Sequence, residues 1–189
     1  MERGCVVLSI RLDFRRDHDE GQGQMEQWHD FFLATSAAAG VLTGLVFVGV
    51  SINLDKIVSQ SDSGLPGRAA EALILLLAVL TASILLLVPG QSASLMGVEV
   101  LVVGIAAYAW IVTIQALHLR NLSTIPSYLR MPLLLRITFA QIATLPNVIA
   151  GIALLTVGFG GLYWLVAGMV LSTLAAMFDA WVLLVEINR

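Results

Sequence analysis

The sequence predicts an all-α fold, a polytopic transmembrane helix bundle of about five spans, and three observations carry that reading. First, 58% of the residues are hydrophobic and only 12% charged, with a mean hydropathy of +0.90; a soluble domain carries about 25% charge. Second, from Phe31 onward, apolar runs of membrane-crossing length follow one another with only short polar breaks. Third, no ten-residue segments of alternating polarity occur. In lipid only helices and closed barrels satisfy the backbone, so helices follow.

A helix needs about 20 residues, rising 1.5 Å each, to cross a ~30 Å hydrocarbon core. On that measure the spans fall near residues 31–54, 69–89, 96–118, 133–157 and 162–187, behind an N-terminal tail of residues 1–30. The first is organised by Ser36, Gly40 and Gly44, small residues every fourth position, which open one side of the helix to close approach by another. The second is the plainest: Ala72 to Val88 contains no charge, and Pro89-Gly90 ends it. Residues 90–94 are too short to do more than turn the chain back into the third. The fourth is interrupted at Leu145-Pro146-Asn147, where proline removes a backbone donor and predicts a kink. Gly158-Phe159-Gly160-Gly161 is a tight turn, making the fourth and fifth spans antiparallel neighbours, and Gly168, Ser172 and Ala176 repeat the small-residue stripe on the fifth.

Orientation follows from Lys and Arg. Lys56 and Arg68 fall between the first two spans, Arg120, Arg130 and Arg136 around the loop before the fourth, and Arg189 at the end; the other two interhelical loops have none. The positive-inside rule places these basic segments and the C-terminus in the cytoplasm and the N-terminus outside. Arg3, Arg11, Arg15 and Arg16 oppose that bias, which favours a translation start at Met25 with a short acidic lead. The alternatives are a cytoplasmic tail with a sixth span or an inverted arrangement. A twin-arginine signal at Arg15-Arg16 is disfavoured by the acidic residues 17–20 where an apolar region should begin.

Asp179 is the residue with the most to explain. It lies about 12 Å inside the end of the fifth span, where an unpaired carboxylate costs several kcal/mol. Arg136 and Arg68 are its candidate partners, and with Glu71 and Glu186 they form an expected cluster joining the second, fourth and fifth spans. The alternative role is a proton or cation path through Asp179. Gln141, Pro146 and Asn147 form a second candidate site, a polar break near the midplane of the kind that holds ions in carriers, against the plainer reading of a tolerated kink. Ser36, Gly40, Gly44, Gly168 and Ser172 form the expected helix-packing faces. Tyr108 and Trp110 are expected to pack at depth, and Glu99 to sit at headgroup level.

Catalytic, metal and cofactor motifs are lacking. His18, His29 and His118 are scattered, Cys5 is the only cysteine, and neither a His-Glu-x-x-His nor a Gly-x-Ser-x-Gly pattern occurs. No basic patch with interleaved aromatics points to nucleic acid. The expected partners are the lipid bilayer and either a second copy or another membrane protein.

Residues 31–35, 40–48 and 51–54, followed by Leu65-Pro66-Gly67-Arg68-Ala69-Ala70-Glu71, resemble small bacterial membrane proteins, some of which bear the label modulator of FtsH protease. The likeness covers the first two spans. It implies a bacterial inner membrane and a non-enzymatic, regulatory role, although proteins properly bearing that label resemble seven-span Bax-inhibitor-like proteins. Two functions remain in view: a structural or regulatory protein acting through helix–helix contacts, and a small ion channel or proton-coupled carrier using Asp179 and the Pro146 break.

Overall fold

The computed structural model describes residues 28–59, 64–120 and 127–187. The expected tail up to residue 27, the proposed start at Met25, Cys5 and Arg189 lie outside them, as do the side chains of His118, Arg120 and Arg130. Six α-helices follow in order: α1 Trp28–Ile52, α2 Leu54–Ser59, α3 Leu65–Leu86, α4 Ala93–Arg120, α5 Ser127–Val157 and α6 Leu162–Ile187. A 3-10 turn, Gly158–Gly161, joins the last two.

Four helical stretches are long and apolar enough to cross a membrane, and the last of them runs unbroken in sequence from Leu133 to Glu186. As a single rod, its 54 residues would measure ~80 Å, far beyond a ~30 Å core. The 3-10 turn folds it into two. Gly158 adopts φ 72°, a left-handed conformation that favours glycine, and reverses the chain there. The described residues therefore hold five helices of membrane-crossing length, the architecture of a multi-pass membrane protein.

Packing is antiparallel between sequence neighbours, and the contacts prove it because one residue number rises as the other falls. A methyl on Gly97 would meet Leu155, one on Gly151 would meet Leu101, and one on Gly104 would meet Asn147. Ser83 of α3 faces Met169 of α6, while Arg68 faces Asp179. Trp28 stacks edge-on against Tyr163, with centroids 5.3 Å apart, so α1 starts beside the start of α6. All helices thus share two common levels, a tryptophan end and an arginine end.

The interior differs between these ends. Toward the tryptophan end it is apolar, built from Phe32, Leu86, Met96, Leu154, Leu162 and Met169. At the arginine end the small helix α2 turns Ile57 inward against Leu65, Ala69 and Leu183. Helix α1 is the outlier: only 11% of its apolar window is buried within the chain, against 50% for α3. Phe32 and Ala39 hold it to the bundle, and most of its remaining surface faces the bilayer.

Three expectations about elements need correction. The first span stops at Ile52 and not at residue 54, because the chain turns at Asn53 into the separate helix α2. Helices α4 and α5 begin earlier than predicted, at Ala93 and Ser127, because helical geometry continues outside the apolar run that locates a span. Trp110 does not pack at depth in the bundle; it is 63% exposed and faces lipid.

Candidate functional site: a buried polar network at the arginine end

Glu71 sits on the second turn of α3 and is completely buried. Arg136 of α5 reaches it with two donors, Nη2 at 2.6 Å and Nε at 3.1 Å, both to Oε2. The second carboxylate oxygen accepts from Gln115 Nε2 of α4 at 3.4 Å, and Gln115 Oε1 in turn accepts from Gln141 Nε2 of α5 at 2.8 Å. A carboxylate, a guanidinium and two amides thereby knit three helices together. Each amide both donates and accepts or closes the chain, so the buried acceptors are served.

Beside this lies a looser pair. Asp179 of α6, its side chain 9% exposed, lies 3.7 Å from Arg68 Nη1 of α3 and accepts no hydrogen bond among the described residues. It also lies within electrostatic reach of Arg136 and Glu71. Two arginines and two carboxylates make the assembly electrically neutral. Four of the five residues expected to cluster therefore meet: Asp179 has Arg68, one of its two candidate partners, while Arg136, the other, pairs with Glu71, because α3 turns Glu71 directly at α5. Glu186 is exposed, on the outer side of α6, and makes no ion pair among the described residues. Gln115 is the member that joins α4 to the cluster.

Of the second predicted site, Pro146 and Asn147 lie together at a polar break that Ser172 joins. Pro146 has no N–H to donate to the carbonyl of Ile142, four residues earlier. Asn147 Nδ2 donates to Ala143 O at 3.3 Å, and Ser172 Oγ of α6 donates to the same oxygen at 2.9 Å. Asn147 Nδ2 also donates to Ser172 Oγ at 2.9 Å. Two polar side chains, one from the next helix, thus gather on the carbonyl next to the one from which proline withholds a donor. Gln141 belongs to the charged network and not to this break.

The two small-residue stripes diverge. On α6, Gly168 lies so close to α5 that any side chain there would run into Asn147, and Ser172 and Ala176 are buried beside it. On α1, Gly40 approaches only the tip of Leu80, at 3.8 Å from where a methyl would stand, and Gly44 has nothing within 4 Å. Ser36 spends its hydroxyl on Leu33 O of its own helix. The glycine seam between α4 and α5, where Gly97 approaches Leu155, Gly104 approaches Asn147 and Gly151 approaches Leu101, was not foreseen; the seven-residue glycine spacing on α4 was its only trace in the sequence. At the tryptophan end, Glu99 accepts from Gln91 Nε2 through both oxygens at 3.0 Å.

Among the described residues, no group of His, Cys, Asp and Glu has the arrangement to hold a metal ion. Compared with protein-family models, curated proteins and solved structures, the chain matches none.

Proposed function

We propose that this chain is a non-enzymatic structural or regulatory protein of a bacterial inner membrane, with its arginine end in the cytoplasm, acting through lateral helix contacts made by α1. One observation carries the reading. The Ser36, Gly40, Gly44 stripe has the spacing of a close-contact face, yet among the described residues a methyl on Gly44 would meet nothing and one on Gly40 only a side-chain tip. In lipid, helix association rests on such close backbone approach, because apolar burial gives no net drive there. The contrast with α6 supports this, since its matching stripe is occupied by α5. The likeness of the first two spans to small bacterial membrane proteins fits the compartment and the regulatory role. The self-balancing of the charged network is consistent with a part that fastens the bundle.

The test is in-membrane cross-linking of the full chain with Gly44→Leu, and with Gly40→Leu added. Loss of higher-order products with unchanged insertion is the expected result; cross-linking equal to that of the unaltered protein refutes the assignment to this face. A channel or proton-coupled carrier is the second reading, favoured by Asp179, a buried carboxylate that accepts no hydrogen bond among the described residues. Flux into protein-loaded liposomes that disappears in Asp179→Asn would replace the first reading with this one.

A further inference from the structure

A small cavity of ≈ 10 Å³ lies inside the bundle beside the proline break, bordered by Ala78 of α3, Gly104 of α4, Thr144 and Asn147 of α5, and Leu165 and Ser172 of α6. That is room for about one water molecule. Thr144 and Ser172 are 3% and 1% exposed, so bulk solvent does not serve them.

The hydrogen-bond inventory of the lining decides what fits. The Thr144 hydroxyl donates to Ala140 O at 2.8 Å and, more weakly, to Gln141 O. The Ser172 hydroxyl donates to Ala143 O, and the Asn147 amide gives its hydrogens to Ala143 O and Ser172 Oγ. Every side-chain donor of the three is spent. Acceptor capacity remains: Thr144 Oγ1 accepts nothing, Ser172 Oγ accepts only once, and Asn147 Oδ1 accepts nothing among the described residues. A hydroxyl oxygen carries two lone pairs and an amide oxygen likewise. The occupant must therefore be a donor. A bare cation is a poor fit, since no carboxylate lines the cavity and three oxygens fall short of the ~6 ligands a hard cation takes.

We infer that this cavity is a specific binding site for one water molecule, which donates its two hydrogens to the unused acceptors of Thr144 and Ser172 and forms part of the proline break. The water makes the seam between α4, α5 and α6 continuous where Pro146 disturbs α5.

Two measurements test it, both on the full chain in lipid nanodiscs. An experimental map that resolves ordered solvent should show a single density peak about 2.7–3.2 Å from Thr144 Oγ1 and Ser172 Oγ; a well-resolved cavity without it overturns the site. The second is a pair of substitutions at Gly104, where a methyl meets its nearest neighbour, the Asn147 backbone, at an ordinary 3.4 Å. Gly104→Ala puts an apolar group where the water stands and is expected to lower the unfolding temperature by about 3 °C, while Gly104→Ser supplies a hydroxyl donor in its place and keeps the midpoint. A dry cavity gives the opposite sign, with Gly104→Ala the more stable of the two by filling space, and that result overturns the inference.

Discussion

Arg136 and Glu71 show how much one buried pair decides at the scale of a residue. Glu71 is wholly enclosed, and its charge is tolerable only because Arg136 meets it at 2.6 Å with a second donor behind. Removing one partner strands the other, which costs about 3–5 kcal/mol, whereas replacing both with apolar groups of similar volume is often neutral or stabilising. We therefore expect Arg136→Met to destabilise the bundle strongly and Arg136→Met with Glu71→Leu to recover most of the loss, as read from unfolding in mild detergent. Asp179→Asn should cost much less, because its pair with Arg68 is 3.7 Å long and holds no hydrogen bond. Equal losses for Arg136→Met and Asp179→Asn would contradict this ranking. That a buried ionic cluster exists was legible in the sequence from Asp179 alone. Who pairs with whom was not, since pairing depends on the rotation of α3 about its axis, and beyond Glu71 α3 carries no further charge.

At the scale of the element, glycine has two opposite meanings. On α4 and α5 it lets backbones touch: a methyl on Gly151 would stand 2.7 Å from the Leu101 backbone, and one on Gly97 would crowd Leu155. On α1 the same residue type leaves open space. Gly151→Ala should accordingly push α4 from α5 and destabilise by about 1–3 kcal/mol, the range for overpacking. Gly44→Ala should leave the unfolding temperature of the monomer unchanged or raise it, because alanine is the better helix former. A Gly151→Ala variant as stable as the unaltered protein would show that the seam yields. The sequence located all five spans, because apolar length is set by membrane thickness and each polar break interrupts it. Helix ends were less legible, since α5 extends six residues beyond its apolar run, and α2 is too short to leave a periodic signal. Which small-residue stripe is covered could not be read either. Spacing creates a stripe, but only the arrangement of the other helices covers it.

For the whole molecule, the asymmetry between the two ends is the feature that joins sequence to placement in the membrane. The buried charged groups, Glu71 and Asp179, and their arginines lie in the half of the bundle nearest the arginine end, while the interior of the other half is apolar around Phe32, Leu86, Leu162 and Met169. The exposed basic residue Lys56 lies at that same end, on α2, beyond the last turn of α1. In the proposed topology the positive-inside rule keeps in the cytoplasm the same end of the protein at which Arg68 and Arg136 pair inward. In a background where Cys5 is replaced by serine, Lys56→Cys should react with a membrane-impermeant thiol reagent only in inside-out vesicles. Gly160→Cys, in the exposed turn at the tryptophan end, should react only in right-side-out ones. The reverse pattern would invert the protein, and labelling of both positions from both sides would mean that the arginines at one end do not suffice to orient it.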